Sequence, residues 1–213
     1  MAIHVDDGII MGEDERQTEE ILLKLENQFQ ITKTTNPKVY LGIQIERQPD
    51  GIHISQTNYA SQVLEKYNMQ ESREMKTPMA MTTPTNDKGE NEKNDIRFPY
   101  REAVGSLLYM TSKTRPDMAF AVNVVSRTLE NPDKIAVQNV KRTPRYVKGT
   151  RDSGIEYTSS DSKTVKLEAF SDADCAGDVK DRKSITGYVI IMVLSETEYC
   201  YIINHRGRIY CSS

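Results

Sequence analysis

Two carboxylates side by side, Asp6 and Asp7, are the residues of this chain best suited to chemistry. They stand between short apolar runs in Ala2-Ile3-His4-Val5-Asp6-Asp7-Gly8-Ile9-Ile10. Adjacent carboxylates are hard oxygen ligands of the kind that hold Mg²⁺. Catalysis on two ions about 4 Å apart needs several such ligands on rigid neighbours, and one pair is too few. The same Asp-Asp-Gly string also suits a plain turn, which presents carboxylates to solvent without burying unpaired charge. A further acid, Asp172, lies in Ser171-Asp172-Ala173-Asp174, where an apolar alternation runs out. Positive charge collects elsewhere: Lys134, Lys141, Arg145 and Lys148 are separated by seven, four and three, so they share one side of a helix. Such a stripe either tracks phosphates, with salt-dependent affinity and no sequence reading, or is an ordinary solvated face.

The elements that must position these groups follow from periodicity. Ile3 and Val5 alternate with His4 and the apolar run resumes at Ile9, which predicts strand, tight turn, strand. Ile21, Leu22, Leu25 and Phe29 predict a helix from about Asp14 to Gln30. Val39, Leu41, Ile43 and Ile45 alternate with polar residues as one strand, and Gln48-Pro49-Asp50-Gly51 turns it back through Ile52 and Ile54. Ser55 is placed to cap a helix whose apolar edge is Tyr59, Val63 and Tyr67. Residues 71–99 are polar and aperiodic, which predicts a linker with a mobile middle. Three helices then follow, over 100–112, from Thr114-Arg115-Pro116-Asp117 to Leu129, and from Asp133 toward Lys148. Pro144 should kink or end the third near Thr143, at a cost on the order of 3 kcal/mol. Ile155 to Tyr157, Val165 to Asp174 and Thr186 to Leu194 are strand-like.

Composition sets limits on partners. With 213 residues and 37% hydrophobic content the chain has material for a core. A net charge of -3 and a pI of about 5.7 give nucleic-acid binding no support from the overall balance. No stretch reaches membrane-spanning length and no signal segment opens the chain, so the expected location is cytoplasmic or nuclear, with no membrane partner. Cys175, Cys200 and Cys211 are not at metal-ligand spacing, and the histidines are scattered.

Literal strings are more specific than these patterns. YLGIQIERQPDGIHISQTNYASQVLEKY (40–67), YREAVGSLLYM (100–110), TRPDMAFAVNVVSR (114–127) and KRTPRYVKGT (141–150) resemble copia-type retrotransposon Pol polyproteins. The Val5-Asp6-Asp7 segment is similar to that family's form of the reverse-transcriptase Asp-Asp hairpin. LEAFSDADCAGDVKDRKSITGYV (167–189) resembles the first hairpin of the family's ribonuclease H.

The resemblance implies an α+β chain: partial reverse-transcriptase palm hairpins with thumb-like helices, then an incomplete ribonuclease H-like β-hairpin. It divides the chain into the palm end, primer grip and first thumb-like helix (1–70), a polar linker (71–99), thumb or connection-like helices (100–150) and a truncated ribonuclease H-like segment (151–213). It implies that Asp6 and Asp7 are polymerase ligands for Mg²⁺, and Asp172 a ribonuclease H ligand, each only in a completed site. Glu198 is the nearest match to a second ribonuclease H acid. The family's third palm aspartate has no counterpart in the five residues before Asp6. Cys175 stands where the family has Trp, and the chain has no Trp. The expectation is therefore a Pol remnant. Its parent is an RNA-directed DNA polymerase with ribonuclease H, acting on an RNA/DNA template-primer. The isolated chain should be inactive and hold no cofactor. Two alternatives stay open: an active reverse transcriptase/ribonuclease H fragment completed by another chain, and a domesticated non-catalytic nucleic-acid-binding or interaction protein, any nucleic acid being bound weakly and without sequence preference. No particular protein partner is implied.

Overall fold

Apolar residues recurring at helical spacing give four helices one face each to bury, and they bury it against one another. The computed structural model describes residues 2–10, 14–80, 98–158, 165–174, 184–194 and 200–201. The core helices are α2 (Thr57–Lys66), α3 (Tyr100–Lys113), α4 (Ala119–Ser126) and α5 (Lys134–Gly149), with a 3-10 turn at Pro116–Met118 leading into α4. Leu64, Val104, Leu107, Met118, Val122, Val140 and Val147 interlock at their centre. An earlier helix, α1 (Glu15–Glu26), starts where Asp14 accepts a hydrogen bond from the Arg16 N–H.

Three small antiparallel sheets complete the α+β architecture. β1 (Ala2–His4) and β2 (Asp7–Ile9) form a hairpin. β3 (Val39–Tyr40), β4 (Ile43–Gln48), β5 (Gly51–Ser55) and β6 (Gly154–Thr158) lie in that order. β7 (Val165–Asp174), β8 (Ile185–Leu194) and β9 (Cys200–Tyr201) make the third.

Several expectations change. The strand expected over Val39 to Glu46 is a hairpin broken at Leu41-Gly42, both at positive φ (47° and 75°). Tyr109 of α3 stabilises that turn, its hydroxyl donating to the Leu41 carbonyl at 2.8 Å. A Cβ on Gly42 would stand 3.0 Å from the same hydroxyl, so glycine serves both the backbone and the approach. Ser55 is not the cap of α2. Gln44, one strand away, accepts from the Asn58 N–H at 2.7 Å instead. Thr114, at the end of α3, donates to the buried Gln56 at 2.9 Å and ties α3 to the start of α2. β6, which the sequence groups with the last segment, pairs along the whole of β5.

Pro144 does not end its helix: α5 is continuous to Gly149. Its ring is buried with Val140, Thr143 and Val147, and apolar burial of about 1.5–3 kcal/mol per side chain offsets one lost hydrogen bond. The supposed linker begins as a packed segment, since residues 72–78 are hydrogen-bonded to α5. Its expected mobile middle lies outside the described residues.

Candidate functional site

The acidic pair sits on the smallest element. The turn of the β1–β2 hairpin is Val5-Asp6, with Asp7 opposite His4 as the first residue of β2. Asp-Asp-Gly is thus not itself the turn, and Val5 takes the left-handed conformation (φ 54°) that a β-branched residue adopts at a cost. Both carboxylates are exposed. A link to the larger sheet runs through the backbone: the Tyr40 hydroxyl donates to the Asp7 carbonyl at 3.5 Å.

A two-ion site requires more acids converging on this pair. Among the described residues no group of three or more His, Cys, Asp or Glu side chains is placed to hold a metal. The donor set here does not fit a complete Mg²⁺ site. Asp172 is exposed on β7 opposite Gly187, in a different sheet from Asp6 and Asp7. Glu198 lies outside the described residues.

The cations of α5 do share one side, but they do not form one open stripe. Lys134 is exposed at the start of the helix. Lys141 places its ammonium 5.0 Å from the centre of the Phe98 ring. Lys148 donates to the Ser72 carbonyl at 3.0 Å, and Arg145 has a buried Nε. Arg142, their neighbour, donates to Thr77.

One charged cluster escapes notice in the sequence, where Thr114-Arg115-Pro116-Asp117 signals only a helix start. Arg115 is 2% exposed. It forks onto Asp117 at 2.9 and 2.8 Å, and reaches the carbonyl and hydroxyl of Thr150 at 2.8 and 2.6 Å. The Tyr146 hydroxyl donates to the same Asp117 at 2.8 Å, and the Arg115 guanidinium lies over the Tyr146 ring. Burial alone would raise the Asp117 carboxyl. The Arg115 hydrogen bonds and charge, helped by Tyr146, outweigh it and hold the group below its ordinary range. Tyr146 is pushed up, by burial first and then by Asp117. This joint locks the entry to α4 onto the end of α5. The available signal was Arg spaced two residues from Asp; the distant partners, Thr150 and Tyr146, have no local signature.

Residues 1–81 match the reverse transcriptase (RNA-dependent DNA polymerase) family. The chain is 37% identical over 200 residues to the Pol polyprotein from transposon TNT 1-94 of Nicotiana tabacum, covering 89% of this chain and 14% of that one. It is 36% identical to the Pol polyprotein from transposon RE2 of Arabidopsis thaliana, with coverage of 90% and 13%. An uncharacterized mitochondrial protein of Arabidopsis thaliana is 34% identical, with 88% of this chain and 76% of that protein covered.

The chain belongs to the copia-type retrotransposon Pol family. It spans about one seventh of the length of the family's Pol polyproteins. The reverse-transcriptase match takes in the Asp6-Asp7 hairpin, the β3–β5 strands, α2 and the segment lying on α5. The copia-type similarity covers about nine tenths of the chain. No solved structure matches it. Among the described residues no helix is long and apolar enough to cross a membrane.

Proposed function

We propose that this chain carries the primer-gripping sheet and thumb-like helices of a copia-type reverse transcriptase, and by itself performs neither polymerase nor ribonuclease H chemistry. The observation that carries the reading is the exposure of Asp6 and Asp7 on a hairpin of two three-residue strands. Metal-assisted transfer depends on ligands fixed by rigid neighbours. The well-packed part of the chain is the helical body, and among the described residues no group of three or more acids, His or Cys is placed to hold a metal. In a completed Pol, Asp6 and Asp7 would supply two Mg²⁺ ligands and Asp172 one of the ribonuclease H set. Primer extension with Mg²⁺ or Mn²⁺ is the test. The expected result is no product above background. Extension that vanishes in Asp6→Asn, Asp7→Asn protein overturns the reading.

One observation favours completion by another chain. Cross-strand partners place Ile45, Ile54 and Ile155 in one row, and Ile52 and Tyr157 in the next, on one face of the β3–β6 sheet. None belongs to the buried core, and Tyr157 is 38% exposed. Under that reading, adding a separate upstream Pol segment restores extension, and the restored activity depends on Asp6 and Asp7.

A further inference from the structure

Residues 72–78 run along α5 in the opposite direction, on the side that carries its cations. Lys148 donates to the Ser72 carbonyl at 3.0 Å, and the Met75 N–H donates to the Arg145 carbonyl at 3.2 Å. Arg142 donates to the Thr77 hydroxyl at 2.9 Å and to its carbonyl at 3.3 Å, and Thr143 donates to the Pro78 carbonyl at 3.3 Å. The helix positions 142, 145 and 148 are three apart, so the segment follows one line of neighbouring turns.

The acceptors offered to Arg142 and Lys148 in these bonds are neutral oxygens. Hydrogen bonds from cations to anionic oxygens are roughly twice as strong as neutral pairs, and phosphates supply such oxygens. The segment does not neutralise these cations, because Arg73 and Lys76 outnumber Glu74 within it. An open cavity of about 770 Å³ lies beside it, lined in part by Arg73, Lys76, Lys148 and Gly149. Arg145 Nε is buried with no hydrogen-bond partner among the described residues. A buried unpaired donor is a cost that uncovering relieves.

We propose that residues 72–78 are an autoinhibitory strap. Displacing it presents Arg142, Arg145 and Lys148, continuous with Lys141, as a phosphate-binding face for duplex nucleic acid. The proposal rests on the reading of α5 as a thumb-like helix that meets template-primer. A duplex then binds only as far as it competes with the strap, and its apparent affinity is lowered by the fraction of chains in which the strap is seated.

The test compares the parent with a strap-released protein, Met75→Pro with Thr77→Ala. The two changes remove the strap's N–H donor and hydroxyl acceptor and leave every α5 cation in place. The released protein should bind a short DNA duplex about tenfold more tightly at low salt. Its salt dependence should be steeper by about one to two units, one for each added phosphate contact. In the parent, saturating duplex should speed exchange of the Met75 amide, a readout that does not depend on the variant folding. Equal affinity and slope in two proteins that both bind overturns the strap and leaves the reading of α5 intact. Binding by neither overturns both. An unchanged Met75 amide in a duplex-saturated parent also overturns the strap.

Discussion

The helical body and the acidic hairpin are built by opposite rules. In the body, Ala60, Ala103, Val104, Leu107, Val122, Val140 and Val147 are fully or almost fully buried. In the hairpin, Ile3 is 64% and Val5 83% exposed, and the two strands have three residues each. A two-stranded ribbon without a packed face is marginal in water. The residues that look most like chemistry therefore stand on the least supported element, and the best-supported residues do no chemistry. Ligand identity and ligand placement are separate properties, and only the second requires a fold around it.

Core truncation should separate the regions most sharply. Leu107→Ala should cost about 2–5 kcal/mol of stability, as a buried leucine leaves a cavity in a packed cluster. Ile3→Ala should change the same urea midpoint by less than about 0.5 kcal/mol. Equal losses would show that the hairpin is part of the cooperative unit.

The ionic joint comes next. Arg115→Leu should cost about 2–4 kcal/mol, since it strands a carboxylate and the Thr150 carbonyl at the junction of α4 and α5. Urea unfolding followed by helical circular dichroism measures it. A neutral outcome would mean that the leucine packs as well as the joint.

A smaller effect concerns pH. The Asp117 carboxyl is held below its unfolded value, so its contribution is present above the unfolded carboxylate range and is lost as pH falls through the folded value. The urea midpoint should drop on acidification below about pH 4, and Asp117→Asn should flatten that part of the profile. An identical acid profile in the variant would remove Asp117 from the account.

Much of the body is legible from periodicity. The buried stripes of α2 and α4, the Gln48 to Gly51 turn and the start of α5 at Asp133 follow from local pattern, because each is decided within one or two helical turns. What is not legible depends on distant partners. Gln44 replaces Ser55 as the cap of α2 across 14 residues, and Tyr109 breaks a strand by seizing the Leu41 carbonyl across 68. Pro144 shows the same override, since its burial accompanies a helix that propensity would break. Gly154 looks like a loop glycine, yet a Cβ there would meet the Ile54 carbonyl at 2.1 Å, so pairing of β6 with β5 depends on it. The acidic pair and its missing third partner were visible as a string, while the exposure of Ile3 and Val5 on its hairpin was visible only in three dimensions.

Amide hydrogen exchange across β1–β2 and α3 tests the contrast most directly. The account predicts that the amides of Ala2 to Ile9 exchange near the unfolded rate, while those around Val104 and Leu107 open only with global unfolding. Protection of the β1–β2 amides equal to that of Leu107 would contradict it.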